Sequence, residues 1–322
     1  MITGWMRRAI ATHIADLDGV GSSAVLQRAF PDAEVYFLDY NDCCGTFREI
    51  IDSGVDEIYL ADFNLGEGNR DSMELLESAG VDLYWYDHHR WNQEMKERTE
   101  KIAKELVIDY SKCGTELVYE RFLSGDSVAK KTAAFAHSTD FGGRLRDAQK
   151  LSDVISANSG DVNFLKTLSR SLSKGKFWSS ELGKIRKDYR EKKENEIGKS
   201  MNSAVFYSAR CGEEELEIAF ARADRCLKGG YVGNELTKNY GNDISIILYP
   251  SGSMSFRMSK EHEGKFDLSE WARAFGGGGH ANAGGAQYGK EIDEGNFLQV
   301  AEDISKKLPL TGFRKLGKAK GQ

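Results

Sequence analysis

The sequence predicts an α/β protein: a doubly wound, mainly parallel sheet, then a smaller mixed α/β domain, joined by a helical connector. Three observations carry this prediction. Short apolar runs recur five times before residue 110, with segments long enough for crossover helices between them, which is the pattern of parallel strands. Over 133–172 the pattern turns wholly helical. After a segment at 174–199 with nine Lys/Arg against five Asp/Glu, strand signals return.

In chain order, strands are expected at 9–13, 34–39, 57–61, 82–86 and 106–108. Apolar positions at helical spacing place helices over 21–30, 46–53, 71–79, 92–105 and 114–123, covering both faces of the sheet. The connector, with Gly175, Gly183 and Gly198, reads as a basic helix with a solvated face. Phe177-Trp178 at its start reads as a packing anchor rather than a base-stacking platform. Strands then follow at 204–207, 216–221, 244–249 and 253–258, and a helix start of small residues is expected after the glycines at 276–279. Residues 314–322 hold four basic residues and no acid, and read as a frayed tail. The resulting boundaries are 1–173, 174–202, 203–313 and 314–322. No internal repeat is present.

Composition excludes several classes. With 322 residues, 40% hydrophobic and 29% charged, and 34 Gly against 3 Pro, the chain is neither disordered nor collagen-like and can bury two cores. No window approaches the roughly 18 uninterrupted apolar residues of a membrane span. The start, Met1-Ile2-Thr3-Gly4-Trp5-Met6-Arg7-Arg8, lacks the apolar core of a secretion signal, so a cytoplasmic location is expected. Cys43, Cys44, Cys113, Cys211 and Cys226 lack C-x-x-C spacing and read as reduced thiols. A net charge of -6 argues against coating long duplex DNA and leaves a short phosphorylated substrate open.

Chemistry concentrates where the first-half strands end. His13, Asp16 and Asp18 follow the first strand, Asp62 the third, and Asp87-His88-His89 the fourth. The carboxyl ends of parallel strands share one edge, where open α/β sheets bind ligands, so these residues converge. Clustered carboxylates repel unless cations sit among them, and mixed imidazole and carboxylate donors suit Mn²⁺ or a similar first-row ion in a two-metal centre. A single Asp after a strand is ordinarily a helix cap, and for Asp39 to Asp42 after the second strand a cap or turn reading is kept. Several such sites on one edge raise the metal reading above it. His137 and His262, without partners at ligand spacing, read as ordinary surface or core histidines.

The second half holds Gly276-Gly277-Gly278-Gly279-His280 between Phe275 and small residues. Ordering four glycines is entropically expensive, so the run reads as a loop that a ligand or another backbone approaches closely, its N–H groups suited to phosphate or carboxylate. A flexible linker is the plain alternative.

Asp16-Leu17-Asp18-Gly19, Asp62, Asp87-His88-His89 and Gly276 to His280, in that order, resemble the DHH phosphoesterase family with its DHH-associated C-terminal domain. Ser255-Phe256-Arg257-Met258-Ser259 and Phe266-Asp267-Leu268-Ser269-Glu270-Trp271-Ala272 resemble the nanoRNase-type oligoribonucleases more than the RecJ-type exonucleases, and Leu17-Asp18-Gly19-Val20-Gly21 resembles the B-type group.

The resemblance implies two Mn²⁺ ions, with Mg²⁺ or Co²⁺ as substitutes. His13, Asp16 and Asp62 would hold one and Asp18, Asp62, His88 and Asp140 the other. His13 departs from the pattern by its two-residue separation from Asp16. His89 would sit at the scissile phosphate and Asp87 would orient the histidines. Arg257, Gly276, Gly277, Gly278, Gly279 and His280 would hold the terminal nucleotide, facing the metals across a cleft. The implied activity is metal-assisted hydrolysis of short single-stranded RNA or dinucleotides from an end to mononucleotides, with no membrane and no long duplex DNA as partner, and with a homodimer compatible. Alternatives are a phosphatase for adenosine 3',5'-bisphosphate, a cyclic-dinucleotide phosphodiesterase, and a non-enzymatic replication scaffold.

Overall fold

The computed structural model describes residues 6–40 and 42–316. They form two compact units, Met1–Tyr189 and Arg190–Gln322. In the first, β1 (Arg8–His13), α1 (Leu17–Ala29), β2 (Glu34–Leu38), α2 (Cys43–Asp52), β3 (Glu57–Ala61), α3 (Arg70–Ser78), β4 (Asp82–Asp87), α4 (Gln93–Ile102), β5 (Ala103–Ile108) and α5 (Gly114–Phe122) alternate. Helices α6 (Ser127–Asp140), α7 (Arg146–Ala157) and α8 (Val162–Ser173) follow, and α9 (Ser180–Ser203) runs from the first unit into the second.

The sheet has the order β2-β1-β3-β4-β5 with every pair parallel. Its direction of winding reverses between β1 and β3, the position at which such sheets open for a ligand. Strand alternation divides the core. Ile10, Tyr59, Ala61 and Tyr86 pack with α1 and α5 to α8, and Ala9, Ala11, Ile58, Leu60 and Trp85 pack with α2 to α4. Phe177 packs its ring against Phe135 at 5.5 Å, as the anchor reading expects, while Trp178 stays exposed.

Two boundaries differ from the sequence expectation for physical reasons. Helix α1 starts at Leu17 rather than 21 because Asp16 caps it, accepting from the N–H groups of Asp18 and Gly19. The expected helix over 92–105 stops at Ile102, because residues from Ala103 onward pair with β4, and sheet pairing outweighs the helical period.

The second unit contains β6 (Val205–Cys211), β7 (Glu214–Arg222), α10 (Gly229–Tyr240), β8 (Ile244–Leu248), β9 (Ser253–Met258), α11 (Leu268–Arg273), β10 (Gly278–His280), β11 (Ala283–Gln287), α12 (Phe297–Lys307) and β12 (Thr311–Lys315). They build a seven-stranded sheet, β10-β11-β9-β8-β7-β6-β12, in which only β7 and β8 pair in parallel. Helices α11 and α12 cover one face over Ile218, Phe220, Ile246 and Phe256; α10 covers the other over Ala219, Ala221 and Ile247.

Two expectations are corrected here. The second half of the glycine run is strand rather than loop, and no helix follows it: Gly278 to His280 form β10, which pairs with β11 where the helix start was expected. A Cβ on Gly277 would stand 2.0 Å from the Gly285 carbonyl oxygen, and one on Gly279 would stand 2.4 Å from that of Ala283. The backbones themselves therefore make the close approach. Arg314 and Lys315 are not tail but the end of β12, opposite Ser208 and Tyr207, where Phe313 stacks on Tyr207 at 4.3 Å. Residues 317–322 of the expected tail lie outside the described residues.

A Cβ on Gly278 meets nothing within 4 Å. Gly277→Ala and Gly279→Ala should therefore lower the melting temperature of the full chain clearly, while Gly278→Ala should stay within about 0.5 kcal/mol of the parent, as an uncrowded surface change does. Thermal unfolding decides this, and equal losses at all three positions would sink the crowding argument.

Candidate metal centre

The site is assembled at the carboxyl edge of the parallel sheet. Asp62, one residue past β3, is 2% exposed and adopts φ 55°, a left-handed conformation that non-glycine residues take at a cost. That turn aims its carboxylate back across the sheet edge. Its Oδ1 lies 3.2 Å from His88 Nε2, and its Oδ2 lies 3.8 Å from His13 Nδ1. Gly114, whose Cβ would stand 2.8 Å from that of Asp62, leaves the necessary room.

Asp18, in the first turn of α1, is 2% exposed and held from outside its own helix. The backbone N–H of Gly114 donates to Oδ2 at 2.7 Å, and the N–H and hydroxyl of Thr115 donate to Oδ1 at 2.8 and 2.6 Å. The amino end of α5 thus holds the carboxylate with unpaired amides and the positive end of its dipole. His88 Nε2 stands 3.5 Å from Asp18 Oδ2, and His88 Nδ1 stands 3.5 Å from Oδ2 of Asp140 at the end of α6. Asp16 divides its oxygens: Oδ1 caps α1, and Oδ2 is 3.8 Å from His13 Nδ1. Gly19 lets α1 begin this close to β1, because a Cβ there would stand 1.9 Å from the His13 carbonyl oxygen.

Three groups emerge in which one ligand atom from each residue can share an ion: His13, Asp16 and Asp62; Asp18, His88 and Asp140; and Asp62, His88 and His89. The donor set fits a cation on two grounds. Asp62 Oδ2 is buried with no hydrogen-bond partner, which is costly for a carboxylate oxygen unless a cation meets it. Among the described residues, the side-chain ion pairs of Asp16, Asp18, Asp62 and Asp140 are with histidines, none with lysine or arginine. Burial, then the charges of Asp18, Asp16, Asp87 and Asp140, push the Asp62 carboxyl well above its usual range. Burial and Asp18 push Asp140 up to about 6 against the opposing charge of His88. Burial lowers the His13 pKa, which favours the neutral imidazole that a metal needs.

Asp87 and His89 are arranged differently. Asp87 is fully buried and all its contacts are donors from its own neighbourhood: His89 Nδ1 at 2.8 Å to Oδ1, with the His89 N–H at 3.2 Å and Trp91 Nε1 at 2.7 Å to Oδ2. It can hold His89 with the proton on Nδ1, leaving Nε2 outward. Burial lowers the His89 pKa, but the hydrogen bond and charge of Asp87 outweigh it, so the net shift is upward.

The structure thus brings together His13, Asp16, Asp18, Asp62, Asp87, His88, His89 and Asp140. In the second unit, Arg257 and His280 both pair with Ala283, from β9 and β10 on either side of it, so they share one face of the sheet with the smallest side chain between them. Among the described residues, the Arg257 guanidinium bonds to backbone carbonyls alone, of Phe256 at 2.7 Å and Gly284 at 3.4 Å, and burial lowers its pKa. Asp42 stands at the start of α2 in a turn closed on Asp39, as expected, although its side chain makes no cap bond. His262 is held by Asp243 and Ser259. Sequence reasoning missed Gly114 and Thr115, Trp91, and Tyr40, which stacks on Phe63 at 4.4 Å with its edge toward His13. A glycine opening a helix after the fifth strand was the available signal for the first pair.

Residues 8–138 match the DHH family, N-terminal domain, and residues 229–307 match the DHHA1 domain. The chain belongs to the DHH family. Its relatives include oligoribonuclease NrnB of Bacillus subtilis (strain 168), 23% identical over 310 residues that cover 89% of this chain and 74% of that protein. Among solved structures, an exopolyphosphatase-related protein from Bacteroides fragilis aligns at TM-score 0.56 and 18% identity, over 94% of this chain and 93% of the other. PggH of Vibrio cholerae, a pGpG-specific phosphodiesterase, aligns at 0.56 and 14%, over 94% and 98%. Both share the fold. This DHH chain is accordingly a phosphoesterase with acidic and histidine groups that can bind metal, and no helix among its described residues is long and apolar enough to cross a membrane.

A carboxyl whose pKa is raised on folding contributes stability below its unfolded pKa and loses it as pH rises through the folded value. Metal-free protein should therefore weaken as pH rises from about 4 to about 6 through Asp140, with Asp62 acting in the same direction, and Mn²⁺ should raise the melting temperature more at pH 8 than at pH 5.5. Asp62→Asn should stabilise the metal-free chain, by about 2–4 °C per kcal/mol recovered, and abolish most of the metal-induced rise. A metal effect independent of pH would contradict the assignment.

Proposed function

We propose that this chain hydrolyses short oligoribonucleotides from one end to mononucleotides, using two Mn²⁺ ions held by His13, Asp16 and Asp62 and by Asp18, Asp62, His88 and Asp140. The observation that carries the reading is the buried, unpartnered Oδ2 of Asp62, on a carboxylate that belongs to two of the three ligand groups. Bound metal would lower the pKa of a water and polarise the phosphoryl oxygens. The chain supplies the rest. Asp62 joins the two groups, Asp18 is held rigid by α5, and His89, kept on one tautomer by Asp87, presents Nε2 to the scissile phosphate or its leaving oxygen. Arg257, whose guanidinium has no carboxylate partner among the described residues, supplies bidentate donors for a phosphate, and His280 with the glycine strand beside it holds the terminal nucleotide; the expected amide cradle does not extend to Gly276 and Gly277, whose N–H groups donate to the carbonyls of Arg273 and Ala272. Support for a short substrate comes from the relative that is an oligoribonuclease, from the fold shared with a pGpG phosphodiesterase, and from a net charge of -6 that offers little hold on a long backbone.

End-labelled RNA of two to about seven nucleotides, followed as a product ladder with Mn²⁺, tests this. Mononucleotide release from one end, fastest on the shortest chains and only weakly dependent on salt, is expected. Processive degradation of long strands would count against it. Asp87→Asn should cost about 10–100-fold, as loss of an orienting partner does, and Asp62→Ala more than that. Arg257→Ala and His280→Ala should weaken hydrolysis of RNA far more than of bis(p-nitrophenyl) phosphate, and equal losses on both would place these residues at the reacting phosphate itself.

A further inference from the structure

Beside the metal-ligating residues stands an aromatic ring that the core does not use. Phe141 directly follows Asp140 at the end of α6 and is 46% exposed, yet it is not loose. Its ring stacks on His137 at 4.7 Å and 25°, one helical turn earlier. His137 Nδ1 in turn lies 2.8 Å from Glu116 Oε2, and Glu116 also accepts from the Cys113 N–H at 3.0 Å, closing the amino end of α5. That is the helix end that holds Asp18. The exposed ring is therefore braced from behind by a chain of contacts rooted in the element that positions the metal ligands. Its centroid is 6.4 Å from that of His88. Residues 142–147 beyond it are all exposed and include Arg144 and Arg146.

We propose that Phe141 is the stacking platform for one nucleobase of the substrate, the base attached to the sugar whose phosphate is cleaved, and that Glu116 and His137 are positioning residues that hold the ring. This rests on the function proposed above and adds a base-binding position to it. An apolar ring exposed beside a cluster of charged groups is unfavourable in water, and the ligand that brings a negative phosphate and a flat apolar face within one sugar's length of each other is a nucleotide. Because every base has a π-face, the contact tolerates any sequence, as a degrader of mixed short RNA requires. The His137 brace keeps one face of the ring occupied and leaves the other for the base.

The test crosses the residue with the base. The full chain with Mn²⁺ is given the dinucleotide pApA and two analogues in which one or the other adenine is replaced by hydrogen. Phe141→Ala should lower kcat/KM on pApA by about tenfold or more, chiefly through KM, the size of one base–aromatic stack. The loss should vanish on one of the two abasic analogues. Phe141→Trp should restore activity, and Mn²⁺ affinity by calorimetry should be unchanged in both variants. His137→Ala should show a smaller loss of the same kind and add nothing to Phe141→Ala. A loss that persists on both analogues, or no loss on pApA, overturns the platform while leaving the oligoribonuclease reading intact. Failure of the parent chain to hydrolyse pApA overturns that reading, and the platform with it.

Discussion

The first unit is organised around one electrostatic constraint: four carboxylates and three imidazoles packed at the end of a buried parallel sheet, with Asp62 at the centre in a left-handed turn. A hydrophobic core alone would not tolerate this. Buried carboxylates shift toward protonation, and burial together with the neighbouring carboxylates displaces Asp62 and Asp140 upward. The surrounding fold keeps these charges in place. Helix α5 gives Asp18 three donors, α1 accepts Asp16 as its cap, and Trp91 and His89 give Asp87 three. Gly19 and Gly114 are small because each element end must reach the next at backbone distance. Stability is thereby given up locally to keep groups pre-arranged for metal, as functional sites commonly do.

The second unit answers to a different constraint. Its glycines are required first by the chain itself, since β10 and β11 approach so closely that Gly277 and Gly279 have no room for a side chain. This closeness is what allows Arg257, Ala283 and His280 to sit abreast on one face across three strands. A flexible loop would present the same residues without fixing their spacing. Gly276 and Gly278 are both free of crowding, but Gly276 takes φ 71°, a conformation that favours glycine, so among the four Gly278 alone would be small for a reason outside the backbone.

The parallel sheet was legible because its strands are continuous apolar runs bounded by helical periods, and the convergence of His13, Asp62 and His88 follows from strand direction alone. Local chemistry misled where pairing outweighed it. Glycine-rich 278–287 carries almost no strand propensity, yet it pairs because β9 offers an open edge, and residues 103–105 continue a helical period but are taken by β4. Arg314 and Lys315 look like a solvated tail because an edge strand can be basic on its exposed side. Thr115 was invisible for another reason: its hydroxyl serves Asp18 across 97 positions of sequence, and no period records such a contact.

The partners of each carboxylate separate roles that the sequence leaves alike. Asp87 takes all three of its donors from its own strand end, two of them from His89, and belongs to none of the ligand groups, so its use is orientation. Asp16 spends Oδ1 on the α1 cap and keeps Oδ2 toward His13. On Asp18, Oδ1 takes two donors and Oδ2 one, so the oxygen beside His88 retains a lone pair. Asp62 has one oxygen at His88 and the other with no donor, although it is among the most buried of the set. A carboxylate that the fold buries, strains into a left-handed turn and leaves half unsatisfied is the one whose place in two of the three ligand groups gives a reason for all three costs.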